Sequence, residues 1–181
     1  MVTNQTQAEL LRLMVQLQGG KRGIEIGTFT GYSSICMAEG LPEGGKLVCF
    51  DSSEEFTDLA RKYWDIAGVT SKIDLRIGNA EEELKKFLEE GKEAETYDFA
   101  YVDANKSGYD TYYELLLKLL RKGGFIAFDN VLWKGHVVGD KSGMDADTLA
   151  LRELAEKINK DERVDMAMVG LGDGVLFAYK K

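Results

Sequence analysis

The chain has 181 residues, 44% hydrophobic and 30% charged, with a formal net charge of -8. That suits one globular domain over residues 1–181 with a sizeable core. The negative balance argues against a surface that tracks a phosphate backbone, so no nucleic-acid partner is expected. No apolar run reaches the ~18 residues of a membrane span, and the N-terminus lacks a signal pattern, so no membrane partner is expected either. Cys36 and Cys49 lie in apolar stretches. Both read as reduced core residues in a cytosol-like, cytoplasmic compartment.

Gln5 to Leu17 carries apolar residues at helical spacing, and Gly19-Gly20 ends that helix. Arg22 to Ile26 reads as the first strand. It runs into Glu25-Ile26-Gly27-Thr28-Phe29-Thr30-Gly31-Tyr32-Ser33-Ser34 and then a helix read from Ile35 to Ala38. A strand that turns through glycines into a helix makes a cofactor pocket. The helix start offers N–H groups, with the Ser33 and Ser34 hydroxyls as further donors. Glu25 adds a carboxylate, which suits a cationic ligand.

The dinucleotide fingerprint G-x-G-x-x-G is not met, because the spacing here is Gly27-x-x-x-Gly31. Asp51, at the end of the strand Lys46 to Phe50, can accept hydrogen bonds from a ribose diol. A carboxylate in the turn and a ribose-binding acid favour a nucleoside carrying positive charge. S-adenosylmethionine fits.

Glu54 to Ala67 reads as a helix stopped by Gly68, and Ile73, Leu75 and Ile77 form an alternating third strand. A charged helix covers Glu81 to Glu90. Tyr97 to Val102 is the fourth strand, and Tyr109 to Leu120 is a helix ended by Gly123-Gly124. Phe125 to Phe128 is the fifth strand. Leu132 to Asp145 is a long loop with three glycines, Gly135, Gly139 and Gly143, and reads as a mobile active-site loop. After a helix from Ala146 to Asn159, Val164 to Val169 and Val175 to Tyr179 form a hairpin across Gly170 to Gly174.

Five strand–helix alternations and a terminal hairpin predict an α/β fold with a mostly parallel sheet and an antiparallel edge. Ligands in such sheets sit beyond the carboxyl ends of the strands. Glu25, Asp51, Asp103 and Asp129 all fall there. Asp103, Asp129 and Asn130 make an all-oxygen set that suits Mg²⁺ or Ca²⁺. The lone His136 and the separated cysteines make no zinc-like set.

The stretches Glu25 to Ser33, Asp103-Ala104-Asn105-Lys106, Asp129-Asn130-Val131-Leu132-Trp133 and Gly172-Asp173-Gly174 run in one order over nearly the whole chain. In these the sequence resembles the cation-dependent O-methyltransferases, the caffeoyl-coenzyme-A and catechol O-methyltransferase family. The resemblance implies a class I methyltransferase (Rossmann-like), doubly wound, seven-stranded fold with strand 7 antiparallel, and a homodimer. It implies that Thr3, Glu25, Gly27, Thr28, Ser33, Asp51, Ala80, Asp103 and Tyr112 surround S-adenosylmethionine. Asp51 would hold the ribose and Ala80 would lie by the adenine. It implies Asp103, Asp129 and Asn130 as ligands of a divalent cation and Lys106 as the catalytic base. Trp133 would wall the acceptor, a small aromatic diol, and Lys134 stands where plant relatives use an acceptor-contacting asparagine.

Two features differ from the family pattern. Its usual Asp-Ala-Asp-Lys reads Asp103-Ala104-Asn105-Lys106. The chain also starts at the cofactor-covering segment, without the upstream helices over the acceptor, so an open and poorly discriminating acceptor site is expected. The expected activity moves a methyl group to one oxygen of a vicinal diol held by the metal. The alternative is an S-adenosylmethionine-binding protein or partner subunit with no acceptor activity of its own.

Overall fold

Apolar runs separated by glycine turns become seven strands in a computed structural model that describes residues 3–181. The strands are β1 (Arg22–Ile26), β2 (Lys46–Asp51), β3 (Ile73–Ile77), β4 (Tyr97–Val102), β5 (Leu120–Asp129), β6 (Val164–Val169) and β7 (Val175–Lys180). They form one sheet in the order β3-β2-β1-β4-β5-β7-β6. Only the pairings of β7 with β5 and β6 are antiparallel. Six helices cover the sheet: α1 (Gln5–Gln18), α2 (Tyr32–Gly40), α3 (Glu54–Ala67), α4 (Ala80–Glu89), α5 (Tyr109–Leu119) and α6 (Ala146–Lys160). This is the Rossmann-like class I methyltransferase fold.

The alternation of side chains along a strand sorts the core into two layers. Ile24, Ile26, Val48, Phe50, Ala100, Val102, Ile126 and Phe128 face α4, α5 and α6. Leu47, Cys49, Phe99, Tyr101, Phe125 and Ala127 face α1 and α2. α3 joins the α2 side through Ala60 and Trp64. The central strands are buried on both faces, which explains their near-continuous apolar sequences.

Two element starts, those of α2 and β5, differ from the sequence reading by three residues or more. α2 starts at Tyr32, not Ile35, because Tyr32, Ser33 and Ser34 are polar enough to hide the first turn. α5 ends at Leu119, and β5 starts at Leu120. The pairing Tyr97↔Leu120 jumps to Phe99↔Phe125, so Gly123-Gly124 lies in a bulge of the strand and does not terminate the helix. The stretch after Leu132 holds two short 3-10 turns, Trp133–Gly135 and Lys141–Gly143. No helix among the described residues is long and apolar enough to cross a membrane.

Candidate active site

Strand register assembles the site. Ile26 is aligned with Phe50 on one side and with Val102 on the other, and Val102 with Phe128. The next residues therefore form a row, Asp51–Gly27–Asp103–Asp129, at the carboxyl edge of the sheet. The row crosses the point where the chain leaves β1 for β2 and β3 and returns as β4, the usual ligand crevice of this architecture. A cavity of about 1210 Å³ opens over it.

At the β1–β2 end the turn is packed to the limit. Gly27 has φ 90°, and a Cβ there would lie 2.0 Å from the Asp103 carbonyl oxygen. Thr28 N and Phe29 N donate to Asp51 Oδ2 at 2.9 and 2.7 Å, and Ser53 N donates to Oδ1 at 2.9 Å. Asp51 thus organises the turn as well as facing the cavity. Phe29, itself at φ 50°, pairs with Phe56 at a ring separation of 4.5 Å on the cavity wall.

Glu25 departs from its expected place. Two residues before Gly27 of the row, it is fully buried on the α1–α2 face of the sheet and does not line the cavity. Ser33 Oγ donates to its Oε1 at 2.5 Å. Its Oε2 has no hydrogen-bond partner. Burial, eased by the Ser33 hydrogen bond, pushes the carboxyl up to about 7. The Ser33 and Ser34 hydroxyls are therefore committed inward, Ser34 to the Gly31 carbonyl at 2.9 Å. Ser33 still reaches the cavity surface. A tight glycine turn above an incompletely satisfied buried carboxyl fits a ligand that brings positive charge, as S-adenosylmethionine does.

At the β4–β5 end side chains hold one another. Lys106 is buried, and its Nζ donates to Tyr109 Oη at 2.6 Å, Asn130 Oδ1 at 2.8 Å and Asp103 Oδ1 at 3.2 Å. Three acceptors use all three ammonium hydrogens. The Lys106 Nζ also lies 5.7 Å from the Trp133 ring centroid. Asp129 accepts from Asn130 N at 2.6 Å and from Tyr101 Oη at 2.7 Å. Burial and the neighbouring Asp129 charge raise the Asp103 carboxyl, against the pull of Lys106. Two mutually repelling carboxylates, Asp129 buried and Asp103 partly exposed, with one ammonium and an amide oxygen, leave negative charge in excess, which fits a further cation. Among the described residues no three His, Cys, Asp or Glu side chains gather as a metal-holding group. The third oxygen of this set is the amide of Asn130.

The next loop is strained. Asn130, Trp133 and Lys134 have φ of 59°, 45° and 54°, a region that costs a non-glycine residue about 1–3 kcal/mol. It is pinned by the β6–β7 turn: Leu132 N donates to the Asp173 carbonyl at 2.9 Å, and Lys134 N to Asp173 Oδ1 at 2.6 Å. This geometry sends Trp133 to the cavity wall and leaves Lys134 exposed outside the lining, against its expected place at the acceptor.

Thr3, Gly27, Thr28, Ser33, Asp51, Ala80, Asp103, Lys106, Tyr112, Asp129, Asn130 and Trp133 all line the one cavity. Sequence reasoning missed Gln7 and Phe56, and gave Asp173, within Gly172-Asp173-Gly174, no role of its own. Gln7 carried a signal, since it sits four residues before Leu11 and eight before Val15, on the buried stripe of α1.

The O-methyltransferase family model matches residues 1–181. The chain belongs to the O-methyltransferase family. It is 42% identical over 180 residues to a probable caffeoyl-CoA O-methyltransferase of Dictyostelium discoideum, covering 99% of this chain and 78% of that one. It is similar to the Bacillus cereus O-methyltransferase solved with S-adenosylhomocysteine (SAH), at 34% identity and a TM-score of 0.91, covering 99% and 83%. The Streptomyces achromogenes O-methyltransferase TomG, solved with S-adenosylmethionine, gives 31% identity and a TM-score of 0.92, covering 99% and 82%. The fold, the family and these relatives make the chain an S-adenosylmethionine-dependent O-methyltransferase.

Proposed function

We propose that this O-methyltransferase methylates one hydroxyl of a vicinal aromatic diol, of catechol or caffeoyl type, with a divalent cation at the acceptor. The observation that carries the reading is the meeting of Asp103, Asp129, Asn130 and Lys106 at one end of a cavity whose other end is the glycine turn. S-adenosylmethionine would lie along Gly27, Thr28, Ser33, Asp51, Ala80 and Tyr112, with Asp51 toward the ribose. A divalent ion held by Asp103, Asp129 and Asn130, Mg²⁺ or Ca²⁺ by its oxygen donors, would supply Lewis-acid charge at the acceptor hydroxyls.

The remaining work falls to the chain. Trp133 bounds the acceptor ring and helps set the attacking oxygen in line with the methyl carbon and the sulfur. As that oxygen bonds to the methyl carbon, the carbon–sulfur bond breaks and its electrons return to sulfur. The hydroxyl proton leaves to Lys106. As a base Lys106 is the free amine, which has two hydrogens, so one of its three present hydrogen bonds is given up beforehand.

A screen of phenols with S-adenosylmethionine and Mg²⁺, read by mass of the methylated product, tests the reading. Vicinal diols should react and isolated phenols should not. Efficient turnover of a monophenol would remove the diol requirement. Lys106→Met should lower kcat for the diol by about 10²–10⁴-fold, the usual worth of a positioned acid or base.

A further inference from the structure

We propose that Tyr101, oriented by Gln7, is a positioning residue that fixes the Asp129 carboxylate and ties α1 to the acceptor end of the cavity. The inference rests on the reading of Asp129 as a metal-holding residue.

Tyr101 lies two residues before Asp103, on the same face of β4 and fully buried against the α1 side. Its neighbour in register on β5 is Ala127, two residues before Asp129. That small side chain leaves space for the phenol ring beneath the Asp129 carboxylate. Tyr101 Oη then donates to Asp129 Oδ2 at 2.7 Å, while Asn130 N donates to Oδ1 at 2.6 Å. Each carboxylate oxygen holds one donor in a set direction, so rotation of the group breaks both bonds. The second lone pair of each oxygen stays available.

The direction of the chain of hydrogen bonds follows from chemistry. An ionised Asp129 can only accept, so the single Tyr101 hydroxyl hydrogen goes to it. Any other partner of that hydroxyl must therefore donate. Gln7 does so, through Nε2 at 3.1 Å. Gln7 is itself 2% exposed. Its Oε1 faces Gly172, where a Cβ would lie 2.9 Å away. Gln7 thus closes α1 against both the β6–β7 turn and Tyr101. A phenylalanine at 101 would fill the same apolar space. It would lack only the hydroxyl, one of the two donors that orient Asp129, and outer partners of this kind are worth about 10–100-fold in metal affinity.

Mn²⁺ titration of the purified protein by electron paramagnetic resonance, with parallel calorimetry of SAH, tests the proposal without turnover. Tyr101→Phe should weaken Mn²⁺ binding by about 10–100-fold with SAH affinity kept. Gln7→Glu, which offers an acceptor that competes for the Tyr101 hydrogen, should weaken Mn²⁺ in the same sense, and Gln7→Met should do so less. If wild type binds Mn²⁺ and Tyr101→Phe binds it equally, this proposal alone falls. If wild type does not bind Mn²⁺, both this proposal and the metal reading fall. Loss of SAH and Mn²⁺ binding together in both Tyr101→Phe and Gln7→Glu would mean a merely structural role and also overturn it.

Discussion

At the β1–β2 end of the cavity the polar side chain at the surface is held by backbone N–H groups, whereas at the β4–β5 end polar side chains chiefly hold one another. Asp51 takes three main-chain donors. Lys106 takes three side-chain acceptors, two of them on β4–β5 loops. The first arrangement is fixed by the path of the chain and changes little with sequence. The second depends on residue identity at each position and can be retuned by single substitutions. On the proposed reading, the first end takes the cofactor and the second the acceptor.

The largest effect should come from breaking the backbone-built end. Gly27→Ala places a methyl group on the Asp103 carbonyl in a left-handed conformation, and strain plus overpacking should cost about 2–5 kcal/mol of stability. Calorimetry should find SAH binding lost, and thermal melting should show a lower midpoint. Normal binding by this variant would mean the turn is far softer than its packing implies.

Removing metal should touch only the other end. After EDTA treatment, turnover of a catechol should vanish while S-adenosylmethionine affinity stays largely in place, since a cationic sulfonium gains nothing from a nearby cation. Full activity of metal-free protein would withdraw the metal from the mechanism.

Asp51→Ala sharpens the contrast. It should weaken SAH by about 1.5–3 kcal/mol, the range for a hydrogen bond to a charged group. It should also lower the melting temperature, because three N–H groups of the turn lose their acceptor. A variant with weaker SAH binding but an unshifted melting temperature would reduce Asp51 to a ribose contact.

A further effect concerns pH. Glu25 has its carboxyl pushed from 4.5 to about 7 by burial, so the folded state binds more protons than the unfolded one between those values. Stability therefore falls as pH rises from about 4.5 to about 7, by up to ~3 kcal/mol for a shift of that size. Urea denaturation of the ligand-free protein at pH 5 and pH 8 should show the fall, and Glu25→Gln should flatten it. Equal slopes in the two proteins would clear Glu25.

Strand order of appearance, the acidic strand ends and the glycine turn were legible in the sequence, because each is a local pattern of alternation or punctuation. What was not legible depended on packing across elements. Glu25 and Asp51 are both acids near strand ends. Two residues of register and the layer of α1 and α2 decide that the first is buried beneath the turn and the second faces the cavity. Gly123-Gly124 looks like a helix stop but serves a strand bulge. Lys134 aligns with an acceptor position, yet the backbone inversion at Trp133 and Lys134 turns it away. Asp173 was visible inside a Gly-Asp-Gly motif, but its hold on Lys134 N joins residues 39 apart.

The row Asp51–Gly27–Asp103–Asp129 makes the sheet a ruler. Its marks are the strands, about 4.8 Å apart, so Asp51 and Asp129 stand roughly 14 Å from each other by construction. No substitution at the rim can stretch that interval without re-pairing β1, β4 or β5. The span from Asp51 to Asp129 is set by the geometry of hydrogen-bonded strands.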